Sequence, residues 1–131
     1  MKVYLSVPMI KNRALARAKL MARAIRESGY EVSSPWVLGP IEHSDPSIVN
    51  VFRRDTEGAE GCDILVADVT EPSVGVGMEI MAAYKAGRRI ILVEKTGLVV
   101  SRMLSHMDRK ETVEYSRDED VYPGLLRVLK P

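Results

Sequence analysis

Two short apolar runs, at residues 63–69 and 89–93, leave few folds open to this chain. Each has an uninterrupted apolar centre, which is typical of strands that are covered on both faces, as in a parallel sheet. Around them lie segments such as residues 12–28, whose apolar side chains recur every three or four positions and therefore predict amphipathic helices. Because strands alternate with helices along the chain, we predict an α/β fold with a parallel sheet and right-handed crossover connections.

Glycines and capping residues place the boundaries of the predicted elements. Gly29 and Gly87 follow the last periodic residues of two helices, where a glycine commonly closes the helix. Asp118 precedes the last helical pattern and is a candidate N-cap, and residues 34–45, rich in proline and glycine, predict a loop. The predicted strands are residues 3–7, 30–33, 63–69, 89–93 and 111–115, and the predicted helices are residues 12–28, 47–61, 76–86, 99–106 and 118–129.

The size and charge of the chain limit the functions open to it. Its 131 residues predict a single domain, residues 1–131. With 19 Lys and Arg against 18 Asp and Glu, the net charge is +1, which excludes strong generic attraction to nucleic-acid polymers. No apolar run approaches the ~18 residues needed to span a bilayer, and the N-terminal run is too short and strand-like for a signal peptide. We therefore expect a cytoplasmic protein that does not contact a membrane.

Metal-binding residues are sparse in the sequence. Cys62 is the only cysteine, so neither an intramolecular disulfide nor a cysteine-rich zinc site can form. The two histidines, His43 and His106, are far apart in sequence and make a weak case for a metal site. We expect no metal and no other cofactor.

The segment at residues 68–79 carries the strongest functional signal, because it follows a buried strand and opens a helix. Gly75 and Gly77 let the backbone approach a ligand without a Cβ in the way. The unpaired N–H groups at the start of a helix form an anion site, and the Ser73 hydroxyl adds a donor, so the segment predicts phosphate binding. The alternative is a tight turn that only joins strand to helix. The glycine spacing leaves both open, since it is not the longer dinucleotide fingerprint.

Two carboxylates are candidates for chemistry beside this segment. Glu79 lies in the predicted first turn of the helix, where the helix dipole favours its ionised form. It is either a capping residue or, next to a bound phosphate and its sugar, a candidate nucleophile or base. Asp55, on the preceding predicted helix, would alone be a solvated charge. Likewise, Tyr4 alone would be a core residue and Ser101 an ordinary helix-start serine.

Residues 72–79 resemble the signature of the nucleoside 2-deoxyribosyltransferase superfamily, and the likeness extends to Tyr4, Asp55, residues 63–69 and residues 99–103. Within the superfamily the chain is most similar to the 2′-deoxynucleoside 5′-phosphate N-hydrolases. The resemblance implies a flavodoxin-like (Rossmann-like) three-layer α/β sandwich, with a central, mostly parallel five-stranded sheet, and a homodimer. It also implies hydrolysis of the N-glycosidic bond of a 2′-deoxynucleoside 5′-monophosphate to the free base and 2-deoxyribose 5-phosphate.

The resemblance also implies roles for individual residues. Glu79 matches the nucleophile that forms a glycosyl-enzyme intermediate, Asp55 the second catalytic carboxylate, and Tyr4 the tyrosine that orients the nucleophile. The implied substrate-binding residues are Ser73 and Gly75 in the phosphate turn, Ser101 reaching in from the neighbouring subunit, and Met9, Ile10, Asn12 and Arg13 in the first loop.

The sequence departs from the family pattern at two places. The first loop, residues 8–13, lacks the glycines usual in the family. Trp36 stands where the mammalian-type hydrolases have a histidine near the base, which suggests that the indole stacks on the base and leaves the base preference open.

Three other functions remain as alternatives. The first is a transferase that exchanges bases between unphosphorylated deoxynucleosides, against which the phosphate-suited Ser73 and Ser101 argue. The second is a non-catalytic nucleotide-binding module, which would not need Tyr4, Asp55 and Glu79 together. The third is a phosphoribohydrolase acting on ribonucleotides, whose glycine-rich turn fits this sequence less well.

Overall fold

Strands and helices alternate along residues 1–10, 12–41, 50–98 and 100–130, which the computed structural model describes. The strands are β1 (Lys2–Ser6), β2 (Glu31–Val32), β3 (Ile64–Asp68), β4 (Arg89–Lys95) and β5 (Glu111–Tyr115). The α-helices are α1 (Leu15–Glu27), α2 (Val51–Gly61), α3 (Val74–Lys85), α4 (Arg102–His106) and α5 (Val121–Leu129), and short 3₁₀ helices lie at Pro35–Leu38 and Asp118–Asp120.

The five strands form one sheet in the order β2-β1-β3-β4-β5, and every neighbouring pair is parallel. This confirms the predicted α/β class, with an all-parallel sheet. The order is that of flavodoxin-like folds, in which the chain changes its direction of travel across the sheet between β1 and β3. In such sheets, ligands bind beyond the carboxyl ends of the strands at this switch point. The fold therefore directs attention to the ends of β1 and β3.

Helices cover both faces of the sheet, and the pleat of β1 divides its side chains between them. Val3 and Leu5 enter a hydrophobic core with residues of α1 and α5, whereas Tyr4 enters a second core with residues of α2 and α3. Because side chains alternate along a strand, Ser6 shares the face of Tyr4. The two hydroxyls of β1 thus lie on the α2–α3 side of the sheet.

Both predicted helix-closing glycines are confirmed. Gly29 has a φ of +89°. Its N–H donates to the Arg26 carbonyl, and the N–H of Tyr30 donates to the Ile25 carbonyl. Gly87 has a φ of +76° and ends α3 with the same pair of bonds. These are Schellman motifs, in which a left-handed residue returns the chain to satisfy the last helical carbonyls.

Some predicted boundaries are wrong for local reasons. Asp118 does not cap α5, since a 3₁₀ turn precedes the helix and the Asp118 carboxylate lies 3.3 Å from the guanidinium of Arg17 instead. The predicted loop at 34–45 contains the 3₁₀ helix Pro35–Leu38, which proline starts. The helix predicted at 99–106 is shorter, because Ser101 caps it and it begins at Arg102.

Some expectations fall on residues 11, 42–49, 99 and 131, which lie outside the described residues. They include the predicted start of α2 at residue 47 and His43. No helix among the described residues has the length and apolarity that crossing a membrane requires. The same residues hold no cluster of His, Cys, Asp and Glu side chains placed to bind a metal ion.

Candidate active site

A buried carboxyl group, that of Glu79, lies where β1, α2 and α3 meet. Glu79 is only 9% exposed, and Tyr4 and Ser6 beside it on β1 are fully buried. Asp55 of α2 is near enough to act electrostatically on both Glu79 and Tyr4. The structure therefore brings the three residues Tyr4, Asp55 and Glu79 together from three separate elements.

The surroundings of Glu79 set its protonation. The pKa of its carboxyl is raised from 4.5 to about 7, mainly because burial disfavours the charged form and also because Asp55 places a negative charge nearby. The nearby hydroxyls of Tyr4 and Ser6 and the positive charge of Arg54 oppose this rise. A carboxyl that titrates near neutral pH inside a protein is typical of a catalytic group.

Tyr4 stays protonated beside this carboxyl. Burial, followed by the charge of Glu79, raises the pKa of the Tyr4 phenol well above its ordinary value of 10.0. The neutral phenol is thus available to donate a hydrogen bond to an ionised Glu79. This geometry fits the orienting role that the resemblance gives to Tyr4.

The hydroxyls of Tyr4 and Ser6 are unusual for buried groups. Neither has a hydrogen-bond partner of standard geometry among the described residues. Both nevertheless lie close enough to the Glu79 carboxyl to lower its pKa. Because the large majority of buried polar atoms are hydrogen-bonded, a small approach of these two hydroxyls to the Glu79 carboxylate would satisfy both.

Asp55 is held in place by its neighbour in the chain. The Nε of Arg54 donates to Asp55 Oδ1 at 2.8 Å, and only 22% of the Asp55 side chain is exposed. The Arg54 guanidinium lies over the Trp36 ring, 4.1 Å from its centroid, and Trp36 meets Tyr4 edge-on at 6.1 Å. Asp55 is therefore part of the cluster and not a solvated helix charge.

Trp36 is close to the catalytic candidates, but Arg54 covers part of it. A cation over an aromatic face is a favourable contact, so one face of the indole is already used. A base that stacks on Trp36 would have to use the other face.

Sequence reasoning missed three residues of this cluster. Ser6 is related to Tyr4 by the two-residue period of a strand, which was the available signal. Arg54 directly precedes Asp55. Gly58 lies in mid-helix, and a Cβ there would be 2.8 Å from Cε2 of Tyr4, so only glycine allows α2 to lie against the tyrosine ring.

The predicted phosphate turn is the first turn of α3. Ser73 is the N-cap, and its Oγ accepts the Val76 N–H at 3.2 Å. Because a hydroxyl that accepts one bond still has its own proton to donate, Ser73 can also bind an anion. Gly75 lies in the first turn, whose early N–H groups have no helical partner, whereas the Gly77 N–H already donates to the Ser73 carbonyl.

The position of Glu79 in α3 corrects one expectation. The helix begins at Val74 and not at residue 76, so Glu79 lies in the second turn. Ser73 caps the helix, so Glu79 is not its capping residue. Gly75 precedes Glu79 by four residues, which places the two on the same face of α3. A nucleotide with its phosphate bound over Gly75 could therefore place its sugar toward Glu79.

Ser101 lies at the start of α4, across a groove from α3. It caps α4, its Oγ accepting the Met103 N–H at 3.2 Å. Ser101, Ser73 and Gly77 line one largely apolar groove of about 1130 Å³ between α3 and α4, and Glu79 does not. This groove thus meets the phosphate turn but not the catalytic candidates.

The first loop is fastened to the 3₁₀ helix Pro35–Leu38. The Arg13 guanidinium donates to the carbonyls of Val37, at 2.9 Å, and Gly39, and it also contacts the Met9 sulfur. Arg13 and Met9 therefore hold the loop. Ile10 and Asn12 are exposed, and Asn12 has a φ of +62°.

Two solved structures share this fold. A CMP N-glycosidase from Clostridium botulinum superposes with a TM-score of 0.69 at 19% identity, over 95% of this chain and 98% of that one. A 2-deoxyribosyltransferase from Bacillus psychrosaccharolyticus gives a TM-score of 0.69 at 21% identity, over 99% and 96%. At this identity the likeness shows the fold alone, which the chain shares with these two enzymes.

No model of a known protein family matches the chain. Individual sequence relatives nevertheless show the family to which it belongs. A Thermofilum pendens protein is 39% identical over 94 residues, 70% of this chain and 66% of its own length. One from Methanococcoides burtonii is 31% identical over 79% of this chain and 88% of its own length. Both are assigned, by inference, as 2′-deoxynucleoside 5′-phosphate N-hydrolases. A 5-hydroxymethyl-dUMP N-hydrolase of Danio rerio is 34% identical over 53% of this chain and 52% of its length. The chain belongs to the 2′-deoxynucleoside 5′-phosphate N-hydrolase family.

Proposed function

We propose that this protein hydrolyses the N-glycosidic bond of 2′-deoxynucleoside 5′-monophosphates, releasing the free base and 2-deoxyribose 5-phosphate. One observation carries the proposal. A buried carboxyl with a pKa of about 7, that of Glu79, has unsatisfied hydroxyls beside it and lies one turn beyond a helix start suited to phosphate. The names of the sequence relatives support the same reaction.

In the first step, Glu79 is the nucleophile. Its ionised carboxylate attacks C1′, and the bond between C1′ and the base nitrogen breaks. The departing base takes a proton, which Asp55 donates or relays through water. The product is a glycosyl ester on Glu79, as in retaining glycosidases.

In the second step, water resolves the ester. Asp55 accepts a proton from the water as the water oxygen bonds to C1′, and the bond between C1′ and the Glu79 oxygen breaks. Glu79 returns as a carboxylate, ready for another turnover. Tyr4 donates to Glu79 and holds the carboxylate for attack.

The substrate's phosphate supplies binding energy at a distance from the bond that breaks. Ser73 and the N–H groups near Gly75 would hold it at the positive end of α3 and so position C1′ against Glu79. A 2′-deoxy sugar lacks an electron-withdrawing hydroxyl, which eases formation of the oxocarbenium-like transition state. A tight fit around C2′ would exclude ribonucleotides.

We also propose that the active protein is a homodimer, with Ser101 reaching the neighbour's phosphate site. Val74, Met78 and Met81 are exposed apolar side chains spaced as a stripe along α3, and Met103 of α4 is 78% exposed. Contiguous apolar surface on a soluble protein indicates a contact site, and two-fold pairing of a helix face is a common way to cover it.

A substrate panel tests the proposed reaction. Each deoxynucleoside monophosphate, including 5-hydroxymethyl-dUMP, its ribonucleotide and its free nucleoside would be incubated with the protein, with and without a second base. With the wild-type protein, we expect chromatography to show free base from the deoxynucleotides. With Glu79→Gln at the same protein concentration, we expect no product. Base exchange on nucleosides would instead identify a transferase, and binding without turnover a nucleotide-binding module.

A further inference from the structure

Ser6 is a buried hydroxyl that the proposed mechanism does not yet use. It is fully buried on β1, its Oγ has no hydrogen-bond partner of standard geometry among the described residues, and it lies beside the Glu79 carboxyl. Ser34 shows how a structural serine in this core is satisfied. It is equally buried, but its Oγ accepts from the Leu5 N–H at 2.9 Å and donates to the Leu5 carbonyl at 2.8 Å.

The placement of Ser6 fits a donor to the catalytic carboxylate. Tyr4 and Ser6 lie two residues apart on one strand face, so their hydroxyls approach Glu79 from the same side. An ionised carboxylate accepts several hydrogen bonds, and bonds from neutral donors to a charged group are stronger than those between neutral groups. Two donors on one side leave the opposite side of the carboxylate for the sugar.

We propose that Ser6 is a positioning residue of the nucleophile, donating a hydrogen bond to the Glu79 carboxylate and, together with Tyr4, fixing which oxygen faces C1′. This inference rests on the proposed function, since it takes Glu79 as the attacking group. Ser6 touches the nucleophile and not the substrate. Its hydroxyl stabilises the ionised form of Glu79 and opposes the effect of burial.

The test is Ser6→Ala, with the protonation of Glu79 as the main measurement. The carboxyl carbon of Glu79 would be followed by ¹³C NMR against pH in both proteins, and Glu79→Gln would assign its signal. Loss of a donor to the charged form raises the pKa, so the Glu79 titration should move to higher pH. In parallel, kcat/KM on a 2-deoxyribose 5-phosphate with an activated leaving group, which needs no proton from Asp55, should fall about threefold to tenfold at pH 6, the change expected for one hydrogen bond, and less at pH 8.5.

Ser33→Ala is the matched control. Its Oγ is also buried and without a partner of standard geometry among the described residues, but Ser33 is not one of the main groups that set the pKa of Glu79. We expect Ser33→Ala to leave both the titration and the pH profile unchanged. The Ser33 hydroxyl has no hydrogen-bond partner among the described residues, so Ser33→Ala breaks no native bond and should not lower the Tm.

An unmoved Glu79 titration in folded Ser6→Ala would overturn the proposal. If Ser6→Ala fails to fold, Ser6→Cys, of similar volume with a weaker donor, decides by the same titration: a smaller upward movement supports the role and none overturns it. The titration needs no turnover. Inactive wild-type protein would therefore refute the proposed function separately, while the NMR result would still judge the contact between Ser6 and Glu79.

Discussion

At the scale of single residues, the environment of Glu79 is the centre of the account. Its pKa is raised to about 7, chiefly by burial, and this value already includes opposing effects of the groups around it. The Asp55 charge adds to the rise, whereas Tyr4, Ser6 and Arg54 reduce it. A nucleophile must be ionised to attack, so the protonation of this one carboxyl should govern the reaction below neutral pH.

The pH dependence of kcat/KM follows from this environment. Because the attacking form is the carboxylate, we expect kcat/KM on a 2-deoxyribose 5-phosphate with an activated leaving group, which needs no proton from Asp55, to rise with pH through an apparent pKa of about 7. Tyr4→Phe removes a hydrogen-bond donor to the ionised Glu79 carboxylate, so the rise of kcat/KM should shift to higher pH. Asp55→Asn removes a repelling charge and should shift it to lower pH, while also lowering the maximum rate. Shifts of the same sign in both variants would contradict the proposed arrangement.

At the scale of elements, much of the fold could be predicted because apolar periodicity is local. Strand β5 coincides with residues 111–115, and Gly29 and Gly87 end helices as expected. The start of α3 was missed by two residues because its apolar pattern begins only at Val76, although Ser73 had already capped the helix. The strand period places Ser6 on the face of Tyr4, but what Ser6 and Gly58 meet in other elements is tertiary, and no pattern within a single element shows it.

The packing of α2 on Tyr4 gives a prediction about Gly58. A Cβ at position 58 would lie 2.8 Å from the Tyr4 ring, which is fully buried and has no room to move. We expect Gly58→Ala to lower the free energy of unfolding by about 1–3 kcal/mol, as for other overpacked sites, and to reduce kcat by displacing Tyr4. Chemical denaturation and steady-state kinetics measure the two effects.

Gly61 provides the control in the same helix. A Cβ there meets nothing within 4 Å, so Gly61→Ala should leave activity unchanged and leave stability equal or higher, by up to about 1 kcal/mol. Equal stability of the two variants would show that Gly58 is not required for the approach of α2 to Tyr4.

The start of α3 should affect phosphate binding and helix stability together. Ser73→Ala removes both the cap of Val76 N–H and the hydroxyl proposed to bind phosphate. We expect a loss of about 1 kcal/mol in stability and a higher KM for monophosphates, with little change for free nucleosides. Ser73→Thr keeps the hydroxyl and should behave like wild type. An equal effect of Ser73→Ala on monophosphates and nucleosides would remove Ser73 from the phosphate site.

At the scale of the whole molecule, one chain does not place all of the predicted site together. The large groove touches Ser73 and Ser101 but not Glu79, and the exposed stripe of Val74, Met78 and Met81 borders the same helix. The dimer and the role of Ser101 came from the family resemblance and the small size of the chain. No pattern in a single sequence shows which surface faces a second copy.

Subunit mixing tests whether Ser101 acts across a dimer. Glu79→Gln subunits would be unfolded and refolded together with Ser101→Ala subunits, and kcat/KM compared with each variant alone. If Ser101 serves the neighbouring site, a mixed dimer contains one complete site, and activity should exceed that of either parent. No gain, in a sample shown to contain mixed dimers, would place Ser101 with the Glu79 of its own chain.

Trapping the intermediate tests whether Glu79 is the nucleophile of a deoxynucleotide hydrolase. The wild-type protein would be mixed with its best deoxynucleoside monophosphate, quenched in acid during the first turnover, digested and analysed by mass spectrometry. We expect the mass of one 2-deoxyribose 5-phosphate group on the peptide containing Glu79, and none in Glu79→Gln, which should be inactive. An adduct on a different residue, or hydrolysis by Glu79→Gln at near wild-type rate, would contradict the account.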